Sequence, residues 1–172
     1  MIFKGIKASA VKKAIEQNLK KSSKPLINYP TSVGFIVDID HFSNTNELFS
    51  LAQDLNIKAK HVEIISYSRT IKVGENYSGK MLNDKQVGWK GEFKSEAVSN
   101  FVNKSFDMLI NYFQEEVETM VLVSAQSNAC LRVGFPEIDD RLNDFTIATS
   151  LQNIELFGNE LKKYLDIIYQ KA

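Results

Sequence analysis

Residues 106–135, FDMLINYFQEEVETMVLVSAQSNACLRVGF, set an apolar run, a helical run and a second apolar run end to end. Residues 106–113 (FDMLINYF) have the length and the aliphatic and aromatic make-up of a buried strand. Residues 115–129 (EEVETMVLVSAQSNA) read as a helix and residues 130–135 (CLRVGF) as the next strand. The rhythm continues through a short strand at 145–149 (FTIAT) and a closing helix over 153–170. Strands alternating with helices build βαβ units, and hence a parallel sheet with helices on its faces.

The same grammar extends towards the N-terminus. Residues 32–38 (SVGFIVD) and 61–67 (HVEIISY) read as strands. Between them, Ser43, Asn44 and Thr45 offer helix caps, with Glu47 three residues after Asn44 in a partial capping box. The helix they open carries Leu48, Phe49, Leu51, Ala52 and Leu55 and ends near Asn56. A short helix over 95–103 leads into residue 106. Residues 68–92 are the least regular part, holding Gly74, Gly79, Gly88, Gly91 and Trp89, and read as a loop or loose hairpin across the end of the sheet. The expected fold is one three-layer α/β domain over residues 1–172. Its mostly parallel sheet has about five strands in flavodoxin-like order, 2-1-3-4-5, with helices on both faces. In such Rossmann-like sheets ligands bind beyond the carboxyl ends of the strands where the order reverses, which places the site at the loops after Asp38 and Tyr112.

A chain of 172 residues with 44% hydrophobic and 24% charged residues can bury a core of its own. It has no apolar run near the ~20 residues of a membrane span. Lys4, Lys7, Lys12 and Lys13 interrupt any secretory signal core, so the expected location is cytoplasmic. The single cysteine, Cys130, is read as a small buried hydrophobe within its strand. Positive charge collects at the start: up to Lys24 there are seven lysines and one acid, Glu16. Ile2, Phe3, Ile6, Ala10, Ala14 and Leu19 form a stripe on a basic helix within residues 1–24. Lys4, Lys7, Lys12, Lys13, Lys20 and Lys21, together with Trp89, are the candidate partner-binding residues. The stripe packs on the domain itself or on a second copy; the lysines could meet a protein partner or an anionic surface, nucleic acid or membrane. The absence of arginine from this helix argues against base readout. A helix that served only as a contact arm could be deleted without unfolding the rest.

Several stretches imitate catalytic motifs. Residues 74–81 (GENYSGKM) match a phosphate-binding P-loop except at Met81, where a magnesium-binding hydroxyl belongs, and no helix pattern follows Lys80. Asp38 and Asp40 end the first strand as Asp-Ile-Asp, which resembles the first motif of haloacid-dehalogenase-like phosphatases. The resemblance implies Asp38 as nucleophile, Asp40 as proton donor, a phosphate-binding hydroxyl at Ser66 or Ser68, and magnesium held by Asp38, Asp40 and Asp139. Phe135 stands where that family places a metal-binding aspartate, and His41-Phe42 replaces its usual threonine. The alternative role for the two aspartates is to cap a turn. Ligand-binding candidates are therefore Asp38, Asp40, His41, Ser66, Ser68, Tyr112 and Arg132. Arg132 could bind a carboxylate or pair with Asp107. Glu115, Glu116 and Glu118 fill the first turn of the predicted helix, complement its dipole and repel phosphate. With no glycine between Tyr112 and Glu115, the usual dinucleotide fingerprint is missing there.

Residues 87–93 (VGWKGEF), 106–113, 124–135 (SAQSNACLRVGF) and 160–168 (ELKKYLDII) resemble an uncharacterised bacterial domain-of-unknown-function family of small soluble α/β proteins. The resemblance implies a single α/β domain and carries no catalytic residues. The βα pattern is also similar to one half of a two-Rossmann glycosyltransferase, a half that alone lacks the facing domain completing such a site. The leading expectation is a non-catalytic binding or interaction module without a cofactor, with a magnesium-dependent phosphatase using Asp38 and Asp40 as the alternative.

Overall fold

The computed structural model describes residues 6–19, 25–70 and 79–169. Among them, six strands, β1 (Val33–Asp38), β2 (Val62–Tyr67), β3 (Lys80–Leu82), β4 (Met108–Tyr112), β5 (Leu131–Gly134) and β6 (Phe145–Thr146), form one sheet in the order β3-β2-β1-β4-β5-β6. Every neighbouring pair is parallel. The central strand has the register Val33 between Val62 and Met108, and Val37 between Ser66 and Tyr112. Successive strands step one way from β1 to β3 and the other way from β4 to β6, so the order reverses between β1 and β4.

The helices are α1 (Ile6–Leu19), α2 (Asn46–Asp54), α3 (Glu96–Asn103), α4 (Glu118–Gln126) and α5 (Ile154–Ile168). They cover both faces, giving three layers. Strand alternation divides the core. Val33, Phe35 and Val37 of β1 join Leu48, Leu51, Phe157, Leu161 and Leu165 under α2 and α5. Ile36 joins Val98, Phe101, Met120, Leu122 and the α1 residues Val11 and Ile15 on the opposite face. Gly34 also faces that side. A Cβ there would stand 2.9 Å from the Phe106 ring and 3.0 Å from that of Phe101, so the absence of a side chain lets two phenylalanines close on the strand.

Helix α4 is buried from Thr119 through Ala125 because it is covered twice, by the sheet beneath and by α1 above. The basic first helix is thus part of the fold: Ala8, Val11 and Ile15 are buried, and Glu16 accepts from Arg141 Nη1 at 2.9 Å. Removing it would uncover α4, which corrects the expectation of a dispensable arm.

Several boundaries differ from the sequence reading. A sixth strand, β3, lies inside the segment read as irregular; three residues pairing only with β2 leave no periodic signal. Residues 71–78 of that segment lie outside the described residues. Its later part does form a hairpin, with Val87 opposite Phe93. Helix α4 begins at Glu118, so Glu115 and Glu116 precede the helix rather than filling its first turn. Cys130 is half-buried and stands just before β5 rather than within it. At α2 the N-cap is Thr45 and its side chain makes no capping bond; Asn44 Nδ2 instead donates to Glu47 Oε1 at 2.7 Å.

Candidate functional site

The carboxyl end of β1 delivers Asp38 into the crevice where strand order reverses, with only 3% of its surface exposed. Both carboxylate oxygens are engaged within its own turn. Oδ1 accepts the backbone N–H of Asp40 at 3.1 Å, and Oδ2 lies 2.8 Å from His41 Nδ1. A buried carboxylate on Nδ1 orients the imidazole and leaves Nε2 facing outward. The hydrogen bond to Asp38, and then the attraction of its charge, raise the His41 pKa above its ordinary value, with Glu115 and Asp40 adding to the effect. Nε2 sits 3.6 Å from Glu115 Oε2.

Asp40 turns the other way and holds the chain leaving β2. Its Oδ1 accepts from Ser68 Oγ at 2.6 Å and Thr70 Oγ1 at 2.9 Å, and its Oδ2 accepts the Arg69 backbone N–H at 2.8 Å. Partial burial works against the ionised form, but these donors outweigh it and hold the Asp40 pKa below the usual value. Arg69 then reaches across, its Nη1 3.6 Å from Glu115 Oε1. Behind it, the Tyr67 hydroxyl donates to Asp84 at 2.9 Å and 3.1 Å, while Thr119 Oγ1 donates to the same carboxylate. Burial, with Asp84 beside it, pushes the Tyr67 hydroxyl pKa up, so it remains a donor.

The structure therefore brings Asp38, Asp40, His41 and Ser68 together and separates the other candidates from them. Ser66 lies on the α2 face, lining a groove with Thr45 and Lys80. Tyr112 is buried, its hydroxyl donating to Leu151 O at 2.6 Å and its ring packed against Phe42, Phe135 and Phe157. It is a core residue because β4 is buried along its whole length. Arg132 is second in β5, towards the opposite end of the sheet; its Nη2 donates to Ser127 O at 2.6 Å. Its expected partner Asp107 is occupied by the Thr31 N–H and hydroxyl, both at 2.8 Å.

Asp139 caps a short turn, accepting Arg141 Nη2 at 2.6 Å. Among the described residues no three His, Cys, Asp or Glu side chains are grouped to hold a metal ion. The magnesium set of Asp38, Asp40 and Asp139 is thus not formed, since each carboxylate is drawn to a different local donor. Lys80 of the P-loop look-alike lies in β3, paired with Glu63, and not at a helix start.

The partner candidates fall on another face. Lys12 and Lys13 are exposed on α1; Lys4, Lys20, Lys21 and the Lys7 side chain lie outside the described residues. Trp89 is 67% exposed at the tip of the hairpin joining Val87 to Phe93. That hairpin is seated on the first helix. At Gly91, with φ of 79°, a Cβ would lie 3.2 Å from Ala14 Cβ, and Gln126 Nε2 donates to its carbonyl at 3.3 Å. Two segments chosen separately in the sequence thus meet.

A family model matches residues 7–168, and its description is a family of unknown function, DUF6913. The chain belongs to DUF6913. No curated protein matches it with significance. The match spans the whole sheet and every helix but the first residue of α1, so the crest and the hairpin of this DUF6913 chain both lie inside the family's own domain. No helix among the described residues is long and apolar enough to cross a membrane.

Sequence reasoning missed Arg69, Thr70, Asp84 and Thr119, and cast Glu115 as a helix-dipole partner and a phosphate repellent. The Asp38-x-x-His41 spacing across a strand-ending turn was the available signal for the dyad. The contacts of Arg69 depend on two loops meeting, which no local pattern encodes.

Proposed function

We propose that this chain is a non-catalytic binding module whose docking surface is the α1 and Trp89 face, and that its partner is an acidic protein segment. The observation that carries the reading is the seating of Gly91 on Ala14, which sets the exposed Trp89 and Lys90 beside the exposed flank of α1 that carries Lys13. An exposed tryptophan on a hairpin packed against a lysine-bearing helix is the chemistry of an interface anchor with an electrostatic rim. Glu92 is interspersed with Lys90 and Lys94, so the positive charge is local, which suits a short acidic peptide better than a phosphate backbone or a lipid surface. The crest supports the same reading. A phosphatase would need Asp38 open for attack, and both of its oxygens are engaged by its own turn.

Trp89 is the single tryptophan, so its emission reports directly on the surface. Synthetic acidic peptides carrying one leucine or aromatic residue should shift that emission to the blue, saturably, with affinity falling as salt rises. The pair Lys13→Glu and Lys90→Glu should remove the response without changing the melting temperature. Emission unmoved by every acidic peptide, or moved only by nucleic acid or anionic vesicles, refutes the assignment.

A further inference from the structure

We propose that the crevice between the loops following β1 and β4 and Arg69, two residues after β2, binds a small anion bearing a phosphate or carboxylate group, and that Glu115 is its internal stand-in. This site is separate from the Trp89 face and does not depend on it. Two donor side chains from two strand ends, His41 after β1 (a cation when protonated) and Arg69 after β2, converge on one carboxylate supplied by the loop after β4. Each approach is 3.6 Å, longer than the 2.7–2.9 Å of a tight charge-assisted bond. His41, Arg69 and Glu115 side chains are 51%, 45% and 55% exposed, so the contact is wet and displaceable.

Both donors are anchored at their base. Asp38 fixes the imidazole through Nδ1 and aims Nε2 at Glu115. The Arg69 backbone N–H is bonded to Asp40 Oδ2 at 2.8 Å, which fixes where its side chain leaves the chain. A pair of preset donors holding a loosely bound carboxylate is the geometry of an oxyanion site filled by the chain itself. The cavity of about 180 Å³ on the other side of His41, lined by Asp40, Ser43, Asn44, Glu47 and Gln152, does not include Arg69 or Glu115, so the anion's place is the open crest between His41 and Arg69 that Glu115 now fills. The charged groups around His41 are Asp38, Asp40 and Glu115, with Glu47 across the cavity. Glu115 alone of these acids approaches both His41 and Arg69, and so is the one that an incoming anion must displace.

The test uses inorganic phosphate and the two histidines of the full chain. His61 lies in the turn before β2, at the far end of the sheet, and serves as the internal control. Ring-proton spectra are followed at slightly acid pH as sodium phosphate replaces sodium chloride at constant ionic strength. His41 should shift saturably while His61 stays still. Glu115→Gln should bind about two- to fivefold more tightly, the fold equivalent of one exposed ion pair. Arg69→Ala should lose the saturable shift while melting as the parent does. Acetate in place of phosphate distinguishes the two ligand chemistries, and saturation by either supports the site. A Glu115→Gln response with a silent parent also supports it, as a site held shut. Equal movement of both histidines, no saturation in either protein, or unchanged affinity in Glu115→Gln overturns it.

Discussion

Replacing His41 with alanine should remove a stabilisation that depends on pH in one direction only. In the folded chain Nδ1 faces the buried Asp38 carboxylate at 2.8 Å, and Nε2 faces Glu115 at 3.6 Å. The pKa of His41 is therefore raised by folding, first through the Asp38 hydrogen bond. A histidine with a raised folded pKa binds its proton more tightly in the native state. Its contribution is complete below the unfolded value of about 6.5 and fades as pH climbs through the folded value. Because the imidazole is half-exposed, solvent screening reduces the contribution. One charge-assisted hydrogen bond so discounted is worth about 1 kcal/mol, with the looser Glu115 contact adding a few tenths. Urea unfolding of the parent and of His41→Ala, run from about pH 5.5 to about pH 9, measures it directly. The stability difference should be largest at the acid end and should shrink by about 1 kcal/mol towards the alkaline end. Asp38→Asn should flatten the same curve and lower the His41 midpoint seen by NMR. A difference that is constant with pH, or that grows as pH rises, refutes the dyad as a charged pair.

Other positions test the framework that holds the crest. Gly34→Ala should cost about 1–3 kcal/mol in urea unfolding, because its methyl would press on Phe106 and Phe101, both fully buried. Tyr112→Phe should cost about 1 kcal/mol by stranding the Leu151 carbonyl, with ring packing retained and the near-ultraviolet dichroism little changed. Asp40→Ala should cost about 1–3 kcal/mol and make the chain after Tyr67 the first site of limited proteolysis, since three donors lose their acceptor. Val11→Ala should lower stability by about 1–3 kcal/mol, a core-sized loss at a residue that a detached arm would leave neutral.

The sheet was legible because its central strands are uniform. Residues 33–38 and 108–112 are buried on both faces and read as apolar runs bounded by turns. The expected relative order of five strands recurs as β2-β1-β4-β5-β6. What stayed hidden depends on contacts distant in sequence. β3 is a strand only because β2 offers it an edge. Residues 118–126 have the apolar content of a helix buried all round, yet nothing local identifies α1 as its cover. At the crest, Asp38 and Asp40 were found for their spacing, but their work is set by partners: an imidazole three residues on for one, and a loop about thirty residues on for the other. Tyr112 and Arg132 show the converse error. Both sit in strands where a polar tip suggests a ligand, and the Tyr112 hydroxyl and Arg132 Nη2 each donate to a main-chain carbonyl instead.

The packing of α1 over α4 sets an order of events during synthesis. The first helix leaves the ribosome long before its counterpart, which follows on the order of a hundred residues later. Until then the valine and isoleucine of α1 have no surface to cover, and the nascent segment must wait, held from collapse by its lysines. The closing step joins the two ends of a long chain interval, which makes it slow for a protein of this size. If it is delayed further, the greasy back of α4 is left bare, and self-association rather than unfolding becomes the chain's principal hazard.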